Sequence, residues 1–134
     1  MANALYDSGK ERLLGHSTED IDLINDTIKA ILIDTADYTV NTSTHTHLDD
    51  VASAARVATA TLATKTVTAG TFDAADTTFS SVTGDSVEAI IIYKDSGVES
   101  TSPLIAYIDT TTGLPITPGG ADIVVDWNGS IFNL

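Results

Sequence analysis

The sequence contains no cysteine, one tryptophan, three prolines, and only six basic residues against nineteen acidic ones. Without cysteine there are no disulfide staples, no thiolate metal ligands and no thiol nucleophile, and the redox compartment stays open. Aromatic residues are 6% of the chain, too few to line the substrate cleft that a carbohydrate-cleaving pair of carboxylates needs. A formal charge of −13 disfavours phosphate backbones and anionic membranes, because binding nucleic acid requires clustered Lys and Arg. No apolar run reaches membrane length, and the opening Met1-Ala2-Asn3-Ala4-Leu5-Tyr6-Asp7 has no basic region followed by an apolar one. The expected product is soluble and not secreted, and binds neither nucleic acid nor membrane.

What is present is a procession of short Thr/Val/Ile/Ala runs separated by Gly, Asp and Pro turns. β-branched runs bounded in this way predict a mainly β protein, an antiparallel sandwich or barrel, with a jelly roll as one form of it. The length of 134 residues fits one domain with one core, divided as an N-terminal helix or arm over residues 1–24 and a β-sandwich over 25–134. The balance of burial against chain entropy is thin for a lone copy of this size, so self-association is expected.

The helical candidate covers residues 4–15. Leu5, Tyr6, Leu13 and Leu14 recur near helical spacing, Lys10, Glu11 and Arg12 are polar, and Gly15 is a terminator. That segment either packs on its own domain or offers Leu5, Tyr6, Leu13 and Leu14 to a neighbouring chain. Residues 27–34 contain consecutive Ile31, Leu32 and Ile33, which suits a central strand covered on both faces. Residues 34–37 should turn, 38–41 should form a short second strand, and 42–55 should be irregular. Strands are then expected at 56–62, 65–68, 76–82, 87–94 and 103–109, the last two pairing as a core hairpin. Turns follow at Thr112-Gly113-Leu114-Pro115 and Thr117-Pro118-Gly119-Gly120. Asn128-Gly129 between the runs 122–127 and 130–134 is a specific hairpin signal, since a type I′ turn needs positive φ at both central residues.

Few residue groups invite chemistry. His45, His47 and Asp49 would point to one face of an extended segment and could present two imidazoles and a carboxylate to Zn²⁺. Short His/Asp clusters in loops are more often solvated, and a polar connecting loop is the stronger reading. Asp73 with Asp76, and Asp34 with Asp37, are carboxylates spaced three apart. Turn capping outweighs acid-base catalysis for both pairs. There is no Gly-x-Ser-x-Gly elbow, His16 has no assignable base role, and Gly119-Gly120 has no downstream Lys to make a phosphate loop. Trp127 and Tyr107 read as core or interface anchors. The residues therefore name no catalytic group and no cofactor.

Four stretches carry a resemblance that runs over nearly the whole chain: residues 27–41, residues 55–62, Tyr93-Lys94-Asp95-Ser96-Gly97, and Leu104-Ile105-Ala106-Tyr107-Ile108-Asp109. In pattern and phrase they resemble small proteins from tailed-bacteriophage structural gene blocks. Size and β-rich character are similar to head decoration, or cement, proteins. The resemblance implies a non-catalytic virion protein, made in the host cytoplasm, that binds the major capsid protein on the outside of the shell, often as a homotrimer. It carries no defined functional residues. A tail or fibre component and a carbohydrate- or receptor-binding module remain the alternatives, with a small hydrolase using Asp73 and Asp76 behind them.

Overall fold

A computed structural model describes residues 4–15, 19–110 and 114–134. His16 and the Thr112-Gly113 half of one expected turn lie outside the described residues. The elements follow in chain order as β1 (Ala4–Leu5), α1 (Asp7–Leu13), β2 (Ile28–Ile33), β3 (Arg56–Thr61), β4 (Thr66–Thr68), β5 (Thr71–Asp73), β6 (Thr77–Phe79), β7 (Ala89–Lys94), β8 (Leu104–Ile108), β9 (Ile123–Val125) and β10 (Phe132–Asn133). The protein is mainly β and its sheets are antiparallel, as its composition predicts.

The three most apolar runs become the inner strands of a five-stranded sheet of order β1-β8-β7-β2-β3. β7 and β8 pair as the expected hairpin, with Ile90 opposite Ile108 and Ile91 opposite Tyr107. β2 lies between β7 and β3. Its consecutive Ile31, Leu32 and Ile33 are all buried because both faces of the sheet are covered. Leu32, Ile90 and Ile92 pack on one side with Phe72, Phe79, Ile123, Val125, Trp127 and Ile131 from the smaller sheets. Ile31, Ile33, Ile91 and Tyr93 pack on the other with Tyr6, Tyr38, Leu48, Val51 and Ala55.

The second layer of the sandwich is two sheets, β10-β5-β4 and β6-β9. Among the described residues, ten strands form three antiparallel sheets. Asn128 (φ 55°) and Gly129 (φ 84°) do take positive φ, and the Ser130 N–H donates to the Trp127 carbonyl across the turn. They close no hairpin, however: β9 pairs with β6 and β10 pairs with β5, so the turn is a corner between the two small sheets. The two-residue hairpin of this kind is at Ala69 (φ 52°) and Gly70 (φ 78°), between the partners Thr68 and Thr71.

Two further expectations change. Residues 38–41 form no strand. Tyr38 is buried on the sheet face with Ile31, Ile33 and Tyr107, so this segment crosses over the face rather than adding to an edge. The amino-terminal helix is shorter than expected, because Ala4 and Leu5 pair with Tyr107 and Ala106 of β8 before α1 begins. Gly9 lets α1 lie directly on β8, since a Cβ there would sit 2.6 Å from the Leu104 carbonyl oxygen.

Candidate functional site

His45, His47, Asp49, Asp34 and Asp37, singled out in the sequence, all lie in the segment 34–55 that crosses the sheet face. A loop that crosses a sheet face brings backbone donors and acceptors into a dry place, and each must find a partner. Arg56, at the start of β3, supplies several. Its Nε donates to the Val51 carbonyl at 3.0 Å and its Nη2 to the Leu48 carbonyl at 2.9 Å and to Glu99 at 2.8 Å. The Asp50 carboxylate accepts from the backbone N–H groups of Thr46 (2.7 Å) and His47 (3.2 Å). Burial opposes ionisation of Asp50, but those two N–H bonds outweigh it and hold its carboxyl below the usual range.

The histidines are drawn into two separate networks. The Tyr6 and Tyr38 hydroxyls share a hydrogen bond of 2.8 Å, and Tyr38 in turn bonds His45 Nδ1 at 2.8 Å. Burial first, and then the neighbouring Tyr38, push the Tyr6 phenol far above the ordinary tyrosine value, so its hydroxyl stays protonated. His47 faces the amino-terminal segment instead. Its Nε2 lies 3.0 and 3.1 Å from the two oxygens of Glu19 and 3.2 Å from Arg12 Nη2. Arg12, buried on α1, donates from Nη2 to the same Glu19 at 3.1 Å. Burial works against the Glu19 charge, but the bonds from His47 and Arg12 prevail and lower its pKa.

The proposed triad of His45, His47 and Asp49 is therefore not assembled. The extended geometry it needs stops where residues Leu48–Asp50 wind into a 3₁₀ turn, and the two imidazoles are held by Tyr38 and Glu19. Among the described residues the group of acids or imidazoles close enough to share an ion is Asp34, Asp37 and Asp85, whose oxygens lie within 4.8 Å of one another. Asp34 acts there as the expected turn cap, accepting the Ala36 N–H at 2.9 Å. Asp73 ends β5 and Asp76 lies in the exposed turn before β6. Trp127 is a core anchor, its indole N–H donating to Thr77 at 3.0 Å inside the sandwich.

Of the four apolar residues offered for docking, Tyr6 is fully buried in its own chain, and Leu5 and Leu13 are half-buried against the core. This corrects Tyr6 from contact residue to core residue. Leu14, 77% exposed, remains at the surface. It is next to an open groove lined by Leu13, Ile24, Val67 and Leu134.

Sequence reasoning missed Arg12, Glu19, Asp50 and Arg56, and Glu88, which accepts the Thr35 N–H at 3.0 Å; the bonds of Glu88 to Thr35, Arg56 to Glu99 and Glu19 to His47 join residues far apart in the chain. Only Asp50 carried a local signal, three residues after His47 at a turn start. No protein-family model and no curated protein sequence matches this chain.

Proposed function

We propose that the protein is a non-catalytic structural component of a tailed-phage virion, a decoration protein that binds the outer surface of the head. The observation that carries this reading is how the reactive side chains are used. His45, His47, Asp34 and Asp50 each hold a crossover loop or the amino-terminal segment in place through named hydrogen bonds. The resemblance in four stretches of sequence supplies the direction, since a shell component needs a rigid unreactive body and contact surfaces. Its partners on this reading are the major capsid protein and two further copies of itself. Leu14 and the groove beside it, with Ile24, Val67 and Leu134 exposed by 45–61%, are the apolar surface for such contacts. The negative charge keeps free copies apart before assembly.

Electron microscopy of intact particles tests the reading. Density for this chain on the outside of the head is the expected result. A position on the tail, or absence from purified virions, overturns the decoration role. Leu14→Asp should reduce occupancy on the shell while leaving the melting temperature of the free protein unchanged.

A further inference from the structure

The segment that runs from β9 to β10 turns at Asn128-Gly129, where both residues are exposed and both have positive φ. Two hydrogen bonds define the turn. The Asn128 N–H donates to Asp126 Oδ1 at 2.8 Å, and the Ser130 N–H donates to the Trp127 carbonyl at 3.2 Å. The Gly129 N–H is the donor in neither. The closing bond sits at the long end of the normal range, so the middle of the corner is held lightly while its ends are fixed: Trp127 and Ile131, on either side, are 4% and 6% exposed.

An asparagine side chain can bring its Cγ to the backbone nitrogen of the next residue through a five-membered ring, and a glycine there has no Cβ to block the approach. The other described asparagines are placed differently. After Asn25 the Asp26 N–H bonds the Asp22 carbonyl, and the Asn25 side-chain amide donates to Asp22 Oδ2 at 2.7 Å. The Asn41 carboxamide oxygen accepts the Ser43 and Thr44 N–H groups. After Asn133 the Leu134 N–H bonds the Gly70 carbonyl, and Asn133 Oδ1 accepts the Thr71 hydroxyl. Each of these three is also followed by a residue with a side chain.

We propose that Asn128 is a site of spontaneous deamidation and isomerisation that uncouples β10 from β9. The deprotonated Gly129 amide nitrogen attacks Asn128 Cγ. A C–N bond forms, the Cγ–Nδ2 bond breaks, and the side-chain nitrogen leaves as ammonia. Water then opens the cyclic imide at either carbonyl: opening at Cγ gives aspartate, and opening at the main-chain carbonyl gives isoaspartate, whose main chain runs through Cβ and Cγ. The net change is water in and ammonia out, with nothing oxidised or reduced. Both products carry one more negative charge, and isoaspartate also adds a methylene to the main chain between the buried anchors Trp127 and Ile131. That extra length shifts the Ile131 N–H against the Phe72 carbonyl, which it bonds at 2.7 Å.

The test is to incubate the full chain at mildly alkaline pH, below its melting temperature, and to follow it by peptide mapping and by enzymatic methylation of isoaspartate. Isoaspartate and released ammonia are expected from the peptide that carries Asn128, faster at higher pH, with Asn25, Asn41 and Asn133 unchanged. Hydrogen exchange of the Phe72 and Ile131 amides should be several-fold faster in the isoaspartate form. A freshly prepared Asn128→Asp chain, which has the charge without the methylene, should exchange as the parent does. Asn128→Gln, whose longer arm disfavours the ring, should give no product at that position. The assignment is overturned if Asn128 stays intact through many half-lives of a free peptide of residues 127–130, or if Asn25 or Asn41 converts as fast. Exchange that is unchanged in the isoaspartate form, or matched by Asn128→Asp, overturns the uncoupling. None of these readouts involves particles, so the outcome here and the outcome for the virion role are independent.

Discussion

The face of the central sheet that carries Leu32, Ile90 and Ile92 is covered by strands, whereas the face that carries Ile31, Ile33 and Ile91 is covered mainly by a loop. Strands satisfy their own backbone groups in ladders, so the first cover needs little besides apolar area: Phe72, Phe79, Val125 and Trp127 supply it, with one buried side-chain bond from Trp127 to Thr77. The loop, among the described residues, has an isolated bridge between His47 and Pro103 in place of a ladder. It uses Arg56, Asp50 and a chain of hydroxyls from Tyr6 to Tyr38 to do what a neighbouring strand does for free. Two equally dry faces can therefore be held by different physics, one nearly insensitive to polar chemistry and the other dependent on it.

Mutations on the two faces should separate these modes. Phe79→Ala, on the strand-covered face, removes a fully buried ring and should cost about 3–5 kcal/mol by denaturant titration. Arg56→Met keeps much of the side chain's length but strips the Leu48 and Val51 carbonyls of their donor. It should cost about 2 kcal/mol and raise hydrogen exchange across residues 46–51 while leaving β9 unaffected. Tyr6→Phe deletes one hydroxyl of the pair with Tyr38 and should cost about 1 kcal/mol, and the comparison fails if Thr77→Val, on the other face, costs far more. The smallest effect belongs to neither face. Lys29 lies 2.7 Å from Asp95, and that bond, with the Gly97 N–H, lowers the Asp95 pKa. A lowered carboxylate contributes stability above its unfolded value, near pH 4, and loses it as pH falls through the lower folded value. Asp95→Asn should therefore lower the melting temperature slightly at pH 7, and the difference should vanish in strong acid.

The same contrast governs what could be read from the sequence. β2, β7 and β8 were legible because consecutive Ile and Leu residues fit a strand buried on both sides, and their turns carried Asp and Gly. β5 was not: Thr71-Phe72-Asp73 is short, and the Ala69-Gly70 turn before it puts an alanine where asparagine is the usual signal. Asn128-Gly129 was legible as a turn, but local dihedrals do not say which strands will pair, and here each flanking strand found a different partner. The loop face was the hardest to read. Tyr38-Thr39-Val40-Asn41 has the composition of a strand, but burial of Tyr38 on the sheet face carries the segment across that face instead. The histidines fit the polar connecting loop that was the stronger reading, but their partners, Tyr38 and Glu19, are set by how the loop lies across the sheet. Nothing in the spacing of His45, His47 and Asp49 encodes that.

The corner at Asn128-Gly129 divides the strand cover into two panels that share no backbone ladder. Each panel is short, and one of them, β10-β5-β4, includes the carboxyl-terminal strand. Cooperative units of this size open below the global unfolding free energy. Exchange of the β5 amides should accordingly be faster than exchange of β2 or β7, and should leave β6 and β9 protected. On this expectation the central sheet is the slow clock of the molecule, and each panel keeps its own faster time.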